Sequence, residues 1–257
     1  VQLAYGIGET FFRNNPLAPA RRFFKAAFDI DQQDAVALRY LDSLLVKENP
    51  SLGEAERILT VLTKPRDRIS TNSGFLMAAA RLRILQDRRG EAASAAVAAL
   101  RVLDPSQAQP MMSWSTSMRE VLDKSEQRRT FYENAISQGV VPGATEWLAY
   151  FRARIDIEEE STLEAGLRTL REIIKSSKNP ALRQATFRTM GAVLYTFGRF
   201  QDAVEEMKPG LEEFPEDMEL LNNTAFMLSK KLQKPELALP LAERAVKLAP
   251  TSADILD

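Results

Sequence analysis

The sequence predicts an all-α chain, a solenoid of about seven antiparallel helical hairpins. Two stretches near opposite ends share a spaced set of residues in which large apolar side chains precede a glycine and alanines follow. This set recurs with a period of about 34 to 35 residues, which indicates a repeat architecture. Only 11 glycines and 13 prolines interrupt the 257 residues, as expected for long helices joined by short turns.

The clearest repeat lies near the back of the chain. Its first helix, helix A, is predicted over 184–197, because large and small apolar residues recur there at separations of three, four and seven. The turn follows at Gly198, and the second helix, helix B, is predicted over 201–214 with Ala203, Val204, Met207 and Leu211 inward. Pro215 ends it, since proline cannot continue a helix. The helix A face consists of Phe187, Met190, Gly191 and Leu194.

The small residues predict how the two helices meet. Gly191 and Ala203 would let helix A and helix B approach closely, while Met207 fills the space beside them. Leucine at either small position should force the pair apart, at a cost of roughly 1 to 3 kcal/mol. The same order occurs near the front, with Ala4, Ile7, Gly8 and Phe11 followed by Ala20, Phe24 and Ala27.

These positions resemble the tetratricopeptide repeat (TPR) family, whose signature is W-x2-L-G-x2-Y, then A-x3-F, then P. Residues of similar size occupy the tryptophan and tyrosine positions here. The resemblance implies a right-handed superhelix in which the helix A faces line a concave surface. It also implies a protein or peptide as the partner.

In this register the chain forms a single TPR-like solenoid of seven approximate units. In the fourth and fifth units the spacing slips, although Trp114 and Trp147 fit the tryptophan position and Ala135 fits helix B. Ordinary drift and a specialised bend or contact both remain open for them. The seven units are 1–34, 35–69, 72–105, 107–141, 144–180, 184–217 and 218–252.

The two ends of the sequence predict a fragment of a longer chain. The sequence opens at Val1, already in phase with the repeat, and no polar capping helix is encoded at its other end. A solenoid requires such a cap. The expected helix A at Ala253 to Asp257 would therefore be followed by further structure.

The composition excludes several classes of function. Cysteine and histidine are absent, so thiolate nucleophiles, disulfides, imidazole bases and the usual zinc sites are excluded. The 34 basic and 35 acidic residues nearly cancel, which disfavours nucleic-acid binding. No apolar run approaches the length of a membrane span. We expect a chain without cofactor, metal or catalytic activity, whose cellular compartment the sequence leaves open.

Helix A positions that point outward are the candidates for partner contact under this resemblance. Arginine and aromatic residues dominate interface hot spots, so the exposed ones are the first choice as anchors. Each is also compatible with an ordinary solvated surface, and Tyr195 or Phe226 with packing against an adjacent unit. The candidates are Arg39, Lys47, Arg188, Tyr195, Asn222, Phe226 and Lys230.

The clamp for a C-terminal carboxylate that occurs in some family members is not expected here. Arg188 and Asn223 fit two of its five positions, but Ala192 replaces an asparagine and Asp254 replaces a cation. An acid at that point reverses the local field. The acidic run 158–160 is likewise best interpreted as a solvated turn before a helix.

Three functions remain open at the level of sequence. The first is a non-catalytic scaffold that binds a protein or peptide through the helix A surface. The second is a scaffold that self-assembles into a homo-oligomer. The third is the TPR arm of a larger enzyme or secretion-system component.

Overall fold

The computed structural model describes residues 1–64 and 68–248, and this part is all-helical, with no β-strand. A 3₁₀ turn lies at Pro142–Ala144 and a π-helical segment at Met227–Lys231. Pro65, Pro250 and the predicted helix from Ala253 lie outside the described residues. The α-helices are α1 Gln2–Arg13, α2 Leu17–Ile30, α3 Asp34–Leu44, α4 Leu52–Leu62, α5 Ser73–Leu85, α6 Arg89–Arg101, α7 Ala108–Val121, α8 Ser125–Ser137, α9 Thr145–Asp156, α10 Leu163–Ser176, α11 Pro180–Thr196, α12 Phe200–Glu213, α13 Met218–Phe226 and α14 Pro235–Leu248.

The helices fall into two compact units. Unit 1 comprises Val1–Asp104 and Gln109–Arg128, and unit 2 comprises Pro105–Ala108 and Arg129–Asp257. Within each unit, the main contacts join helices that are neighbours or next-but-one neighbours along the chain. This local pattern is typical of stacked hairpins. The division into seven repeats of a single solenoid remains a prediction.

Unit 1 is built from successive helical pairs around one apolar core. Helix α1 packs on α2, α3 on α4 and α5 on α6, while α2 and α4 also contact the next helix along the chain. The indole of Trp114 in α7 is buried and donates to the carbonyl oxygen of Ala96 at 3.0 Å. Large residues buried in the core include Phe24, Phe28, Tyr40, Leu41, Ile58, Leu62 and Phe75.

Unit 2 repeats the arrangement with α9 on α10, α11 on α12 and α13 on α14. Trp147 is buried and donates to the carbonyl oxygen of Pro105 at 2.7 Å. Its ring lies 5.6 Å from that of Tyr150 in an edge-on contact. Tyr150 in turn forms a 2.7 Å hydrogen bond with Thr189 of α11, and burial raises its pKa. The degenerate stretch of sequence thus contributes large buried side chains.

The hairpin of α11 and α12 follows the prediction closely. Helix α11 begins at Pro180, four residues before the expected start, because the Asn179 side chain accepts from the Leu182 amide at 3.2 Å and caps the helix. Proline suits the first helical position. Gly198 has a φ of +72°, which favours glycine in the turn. Val204 and Leu211, expected inward, are only half-buried.

Candidate partner-binding surfaces

A groove of about 410 Å³ lies between α11 and α13, the helix A elements of two successive hairpins. It contains three of the predicted partner-contacting residues, Tyr195, Asn222 and Phe226. The Tyr195 and Phe226 side chains are 37% and 44% exposed, which is unusual for large aromatic residues. We call this the α11/α13 groove; its lining is Gly191, Ala192, Tyr195, Thr196, Asn222, Asn223, Phe226 and Met227.

The aromatic wall of the groove belongs to a cluster of three rings, the aromatic triad Tyr195, Phe200 and Phe226. The Tyr195 ring lies 5.5 Å from Phe200 and 6.1 Å from Phe226. The ammonium nitrogen of Lys231 lies 5.6 Å from the Tyr195 centroid, 5.5 Å from Phe200 and 6.0 Å from Phe226. Sequence reasoning missed Lys231. Lys230, the predicted residue beside it, is exposed.

Arg188, another predicted residue, links α11 to the start of α13. Its Nε donates to Asp217 Oδ2 at 2.8 Å, and its Nη1 lies 3.2 Å from Glu219. Asp217 is buried, accepts from Gln184 at 2.9 Å and caps α13 by accepting from the amides of Glu219 and Leu220. Arg188 therefore supports the helix that carries Asn222 and Phe226. Sequence reasoning missed Asp217, although Asp before a helix is a standard cap signal.

In unit 1, ion pairs run across four helices. Arg39 of α3 donates to both carboxylate oxygens of Glu9 in α1, and its Nη1 lies 3.8 Å from Asp42. Arg81 of α5 binds Asp42 at 2.8 Å and also Glu120 of α7. The paired hydrogen bonds from Arg39 hold the pKa of Glu9 below its usual range. We call Glu9, Arg39, Asp42, Arg81 and Glu120 the ionic ladder.

Arg39, which the sequence predicts as a partner contact, is already paired with Glu9 within the chain. Its guanidinium also lies 4.7 Å from the centre of the Phe12 ring. Such a side chain, held by one carboxylate and one ring, ties α1 to α3. We therefore assign Arg39 first to holding two helix A elements in register.

Lys47 lies at a cavity of unit 1 that Arg81 and Glu120 of the ionic ladder also line. The cavity has a volume of about 600 Å³ and is lined by the C-terminal ends of α3, α5 and α7. Lys47 is exposed, and its cavity neighbours include Glu48, Arg89 and Asp123. Charges of both signs surround this cavity. None of the other predicted partner-contacting residues lines this cavity.

The residue pairs between the helices of a hairpin identify the repeat. A Cβ on Gly191 of α11 would come within 2.7 Å of Met207 Cγ in α12, and one on Gly8 of α1 within 2.8 Å of Phe24 Cδ1 in α2. In both hairpins a glycine of helix A contacts a large side chain of helix B. The glycine and its contact residue are separated by the same number of positions in the two hairpins. The chain is a TPR-like repeat protein. In the α1/α2 and α11/α12 hairpins, the signature glycine of the first helix faces a large apolar side chain of the second.

Comparisons of the TPR-like chain with known proteins give only distant similarity. No protein-family model and no curated protein matches it. Similar solved structures include the APC/C hetero-tetramer Cut9-Hcn1, with 14% identity over 97% of this chain and 53% of that chain, at a TM-score of 0.37. The P58(IPK) TPR domain has 16% identity over 99% and 85%, at 0.36, and Naa15/Naa10 bound to HypK-THB has 14% over 99% and 49%, at 0.25.

Identities of 14 to 16% and TM-scores of 0.25 to 0.37 are too low to transfer a function from these proteins to this chain. The chain spans about half the length of the Cut9-Hcn1 and Naa15/Naa10 chains it matches.

Within 1–64 and 68–248, no group of Cys, Asp and Glu is arranged to hold a metal ion, and every buried side-chain nitrogen or oxygen has a hydrogen-bond partner. None of the helices in these ranges is long and apolar enough to cross a bilayer. The α11/α13 groove brings together three of the predicted partner-contacting residues, Tyr195, Asn222 and Phe226.

Proposed function

We propose that this chain is a non-catalytic scaffold that binds a partner protein by taking an extended peptide segment of it into the α11/α13 groove. The observation that carries the proposal is the convergence of two exposed aromatic side chains and two asparagines on one groove between adjacent helix A elements. Aromatic residues supply apolar contact area. The asparagine amides supply both donors and acceptors for a peptide backbone.

The lining explains how such a groove would discriminate. Gly191 and Ala192, which carry little or no side chain, line the groove beside the much larger Tyr195 and Phe226. A bound segment would place an apolar side chain between these walls and present its backbone to Asn222 and Asn223. A few anchors of this kind carry most of the affinity in protein interfaces.

Selection from a displayed library of random peptides, each roughly twelve residues long, tests the proposal. The wild-type chain and a variant carrying both Asn222→Ala and Phe226→Ala are used as bait under the same conditions. We expect enriched peptides from the wild type that the double variant fails to retain. Ile30→Ala removes an exposed apolar side chain from unit 1 and serves as the matched control, which should retain them.

Peptides that bind the double variant as well as the wild type would reject the groove as the binding surface. Thermal unfolding of each variant, followed by circular dichroism, shows whether a loss of binding reflects a loss of folding. Among residues 1–64 and 68–248 no hydrogen bond or ion pair joins the Asn222 side chain to another helix, and Phe226 contacts Tyr195 of α11 through a ring that is partly exposed. We therefore expect the double variant to lose no more than about 1 kcal/mol of stability.

Self-association is a second candidate, and one observation favours it. Leu237 and Leu239 of α14 are 54% and 59% exposed, and exposed large apolar side chains occur in interaction surfaces. Sedimentation of the chain alone, compared with a variant carrying Leu237→Ser and Leu239→Ser, tests it. A dimer lost in the variant supports this candidate, and a monomer in both rejects it.

A further inference from the structure

Lys231 is an exposed cation that borders the α11/α13 groove without a carboxylate of its own. Its ammonium lies over all three rings of the aromatic triad, two of which also form the groove wall. Among residues 1–64 and 68–248, no ion pair or hydrogen bond of this ammonium is found. By contrast Arg188, on the same helix pair, contacts two carboxylates.

The π-helical segment explains why Lys231 reaches these rings. Successive residues of an α-helix turn by about 100°, so residue 231 would point roughly 140° away from Phe226. The segment instead forms a bond from the Leu232 amide to the Met227 carbonyl oxygen, 2.9 Å long, which spans five residues. This wider turn places Lys231 one turn above Phe226. π-turns within helices are frequent at functional sites.

The charge at the groove is one-sided. None of its lining residues is charged, and the Lys231 ammonium lies against its aromatic wall. Rings hold a cation without neutralising it, because their attraction comes from the quadrupole of the π-system. A segment lying in the groove therefore meets an uncompensated positive charge at its edge.

We infer that the α11/α13 groove selects a peptide segment carrying an acidic side chain, whose carboxylate pairs with Lys231 while an apolar neighbour contacts Tyr195 and Phe226. This inference depends on the proposed function of the groove and adds the chemistry of the partner. The carboxylate supplies the counter-ion that the described structure lacks at this ammonium. Its hydrogen bond to a cation already held in place is of the charge-assisted kind.

The library selection described above, extended to Lys231→Met, tests the inference. Methionine keeps a flexible apolar side chain that contacts aromatic rings favourably but removes the charge. Lys208→Met on α12, which changes an exposed lysine outside the groove, is the matched control. We expect wild-type peptides to carry Asp or Glu at one fixed position and the Lys231→Met peptides to lose that preference.

Binding of one recovered peptide then measures the pairing directly. Replacing its acid by the corresponding amide should weaken binding to the wild type and to Lys208→Met by about ten-fold, and binding to Lys231→Met by less than about two-fold. An equal loss in Lys231→Met would overturn the inference. So would groove-dependent peptides that lack an acid, or that carry Lys or Arg and thus replace Lys231 on the rings.

Failure of the underlying proposal gives a different result. If no recovered peptide depends on Asn222 and Phe226, the groove itself is rejected, and the acidic preference with it. If the peptides depend on the groove but not on Lys231, only the acidic preference is rejected.

Discussion

Gly191 of α11 lies so close to Met207 of α12 that a Cβ at residue 191 would come within 2.7 Å of Met207 Cγ. This contact sets the distance between the two helices of the hairpin that forms one side of the α11/α13 groove. Any side chain at residue 191 must displace Met207, which is fully buried.

We therefore expect Gly191→Ala to lower the free energy of unfolding by about 1 to 3 kcal/mol, despite the higher helix propensity of alanine. Chemical denaturation followed by circular dichroism measures this. Unchanged stability would show that α11 and α12 do not approach as closely as described.

Helix α1 offers an internal comparison, because Gly6 and Gly8 lie two residues apart in it. A Cβ on Gly8 would meet the Phe24 ring at 2.8 Å, whereas a Cβ on Gly6 would have nothing within 4 Å. Gly8→Ala should destabilise by about 1 to 3 kcal/mol, and Gly6→Ala should stabilise by about 0.5 to 1 kcal/mol. Denaturation midpoints of the two variants, measured side by side, should shift in opposite directions. Shifts of the same sign would contradict the close contact between α1 and α2 at Gly8.

The ionic ladder predicts a dependence of stability on pH. Arg39 lowers the pKa of Glu9 below its ordinary value of 4.5 in the folded state. A lowered folded-state pKa contributes stability above about pH 4.5 that is lost as the pH falls through the folded value. Glu9→Gln should therefore be less stable than the wild type by about 0.5 to 1 kcal/mol at neutral pH and equal to it near pH 2.

Urea denaturation at a series of pH values measures this difference. Glu48→Gln changes an exposed acid of unit 1 that has no ion pair among the described residues, and it should follow the wild type at every pH. A difference between wild type and Glu9→Gln that persists unchanged into acid would contradict the ladder.

Substitution of Arg188 should mainly lower stability, whereas substitution of Asn222 should mainly lower peptide binding. Removing the Arg188 side chain takes a partner from the buried Asp217, so Arg188→Ala should destabilise by about 1 to 3 kcal/mol. Asn222→Ala should leave stability unchanged within about 0.5 kcal/mol and lower peptide binding. Unfolding and binding measured on both variants check this. If Arg188→Ala lowered peptide binding without lowering stability, Arg188 would be assigned to direct contact with the peptide.

The parts of the fold that the sequence predicted are those fixed by short-range pattern. Gly191, Ala203 and Pro215 lie within one repeat, and they were enough to place a hairpin within a few residues of α11 and α12. The sequence predicted that α11 begins at residue 184, but the helix begins at Pro180, where the Asn179 side chain caps it. A pattern of apolar residues contains no information about such a cap.

The partners of charged residues depend on how successive repeats stack, which a single sequence does not specify. Arg39 pairs with Glu9 from a preceding hairpin, so an arginine predicted to face a partner is bonded within the chain. Lys231 was missed because an α-helical projection places it away from Phe226, and only the π-turn brings the two together. The sequence named Tyr195, Asn222 and Phe226 separately as outward helix A positions, and they line one groove because α11 and α13 pack against each other.

Fluorescence anisotropy with one selected, labelled peptide measures binding at the α11/α13 groove, comparing the wild type with Phe226→Ala after circular dichroism has shown that both are folded. We expect binding at least about ten-fold weaker for Phe226→Ala, because an aromatic anchor is lost. Equal affinity of the two proteins would show that the peptide does not bind in this groove.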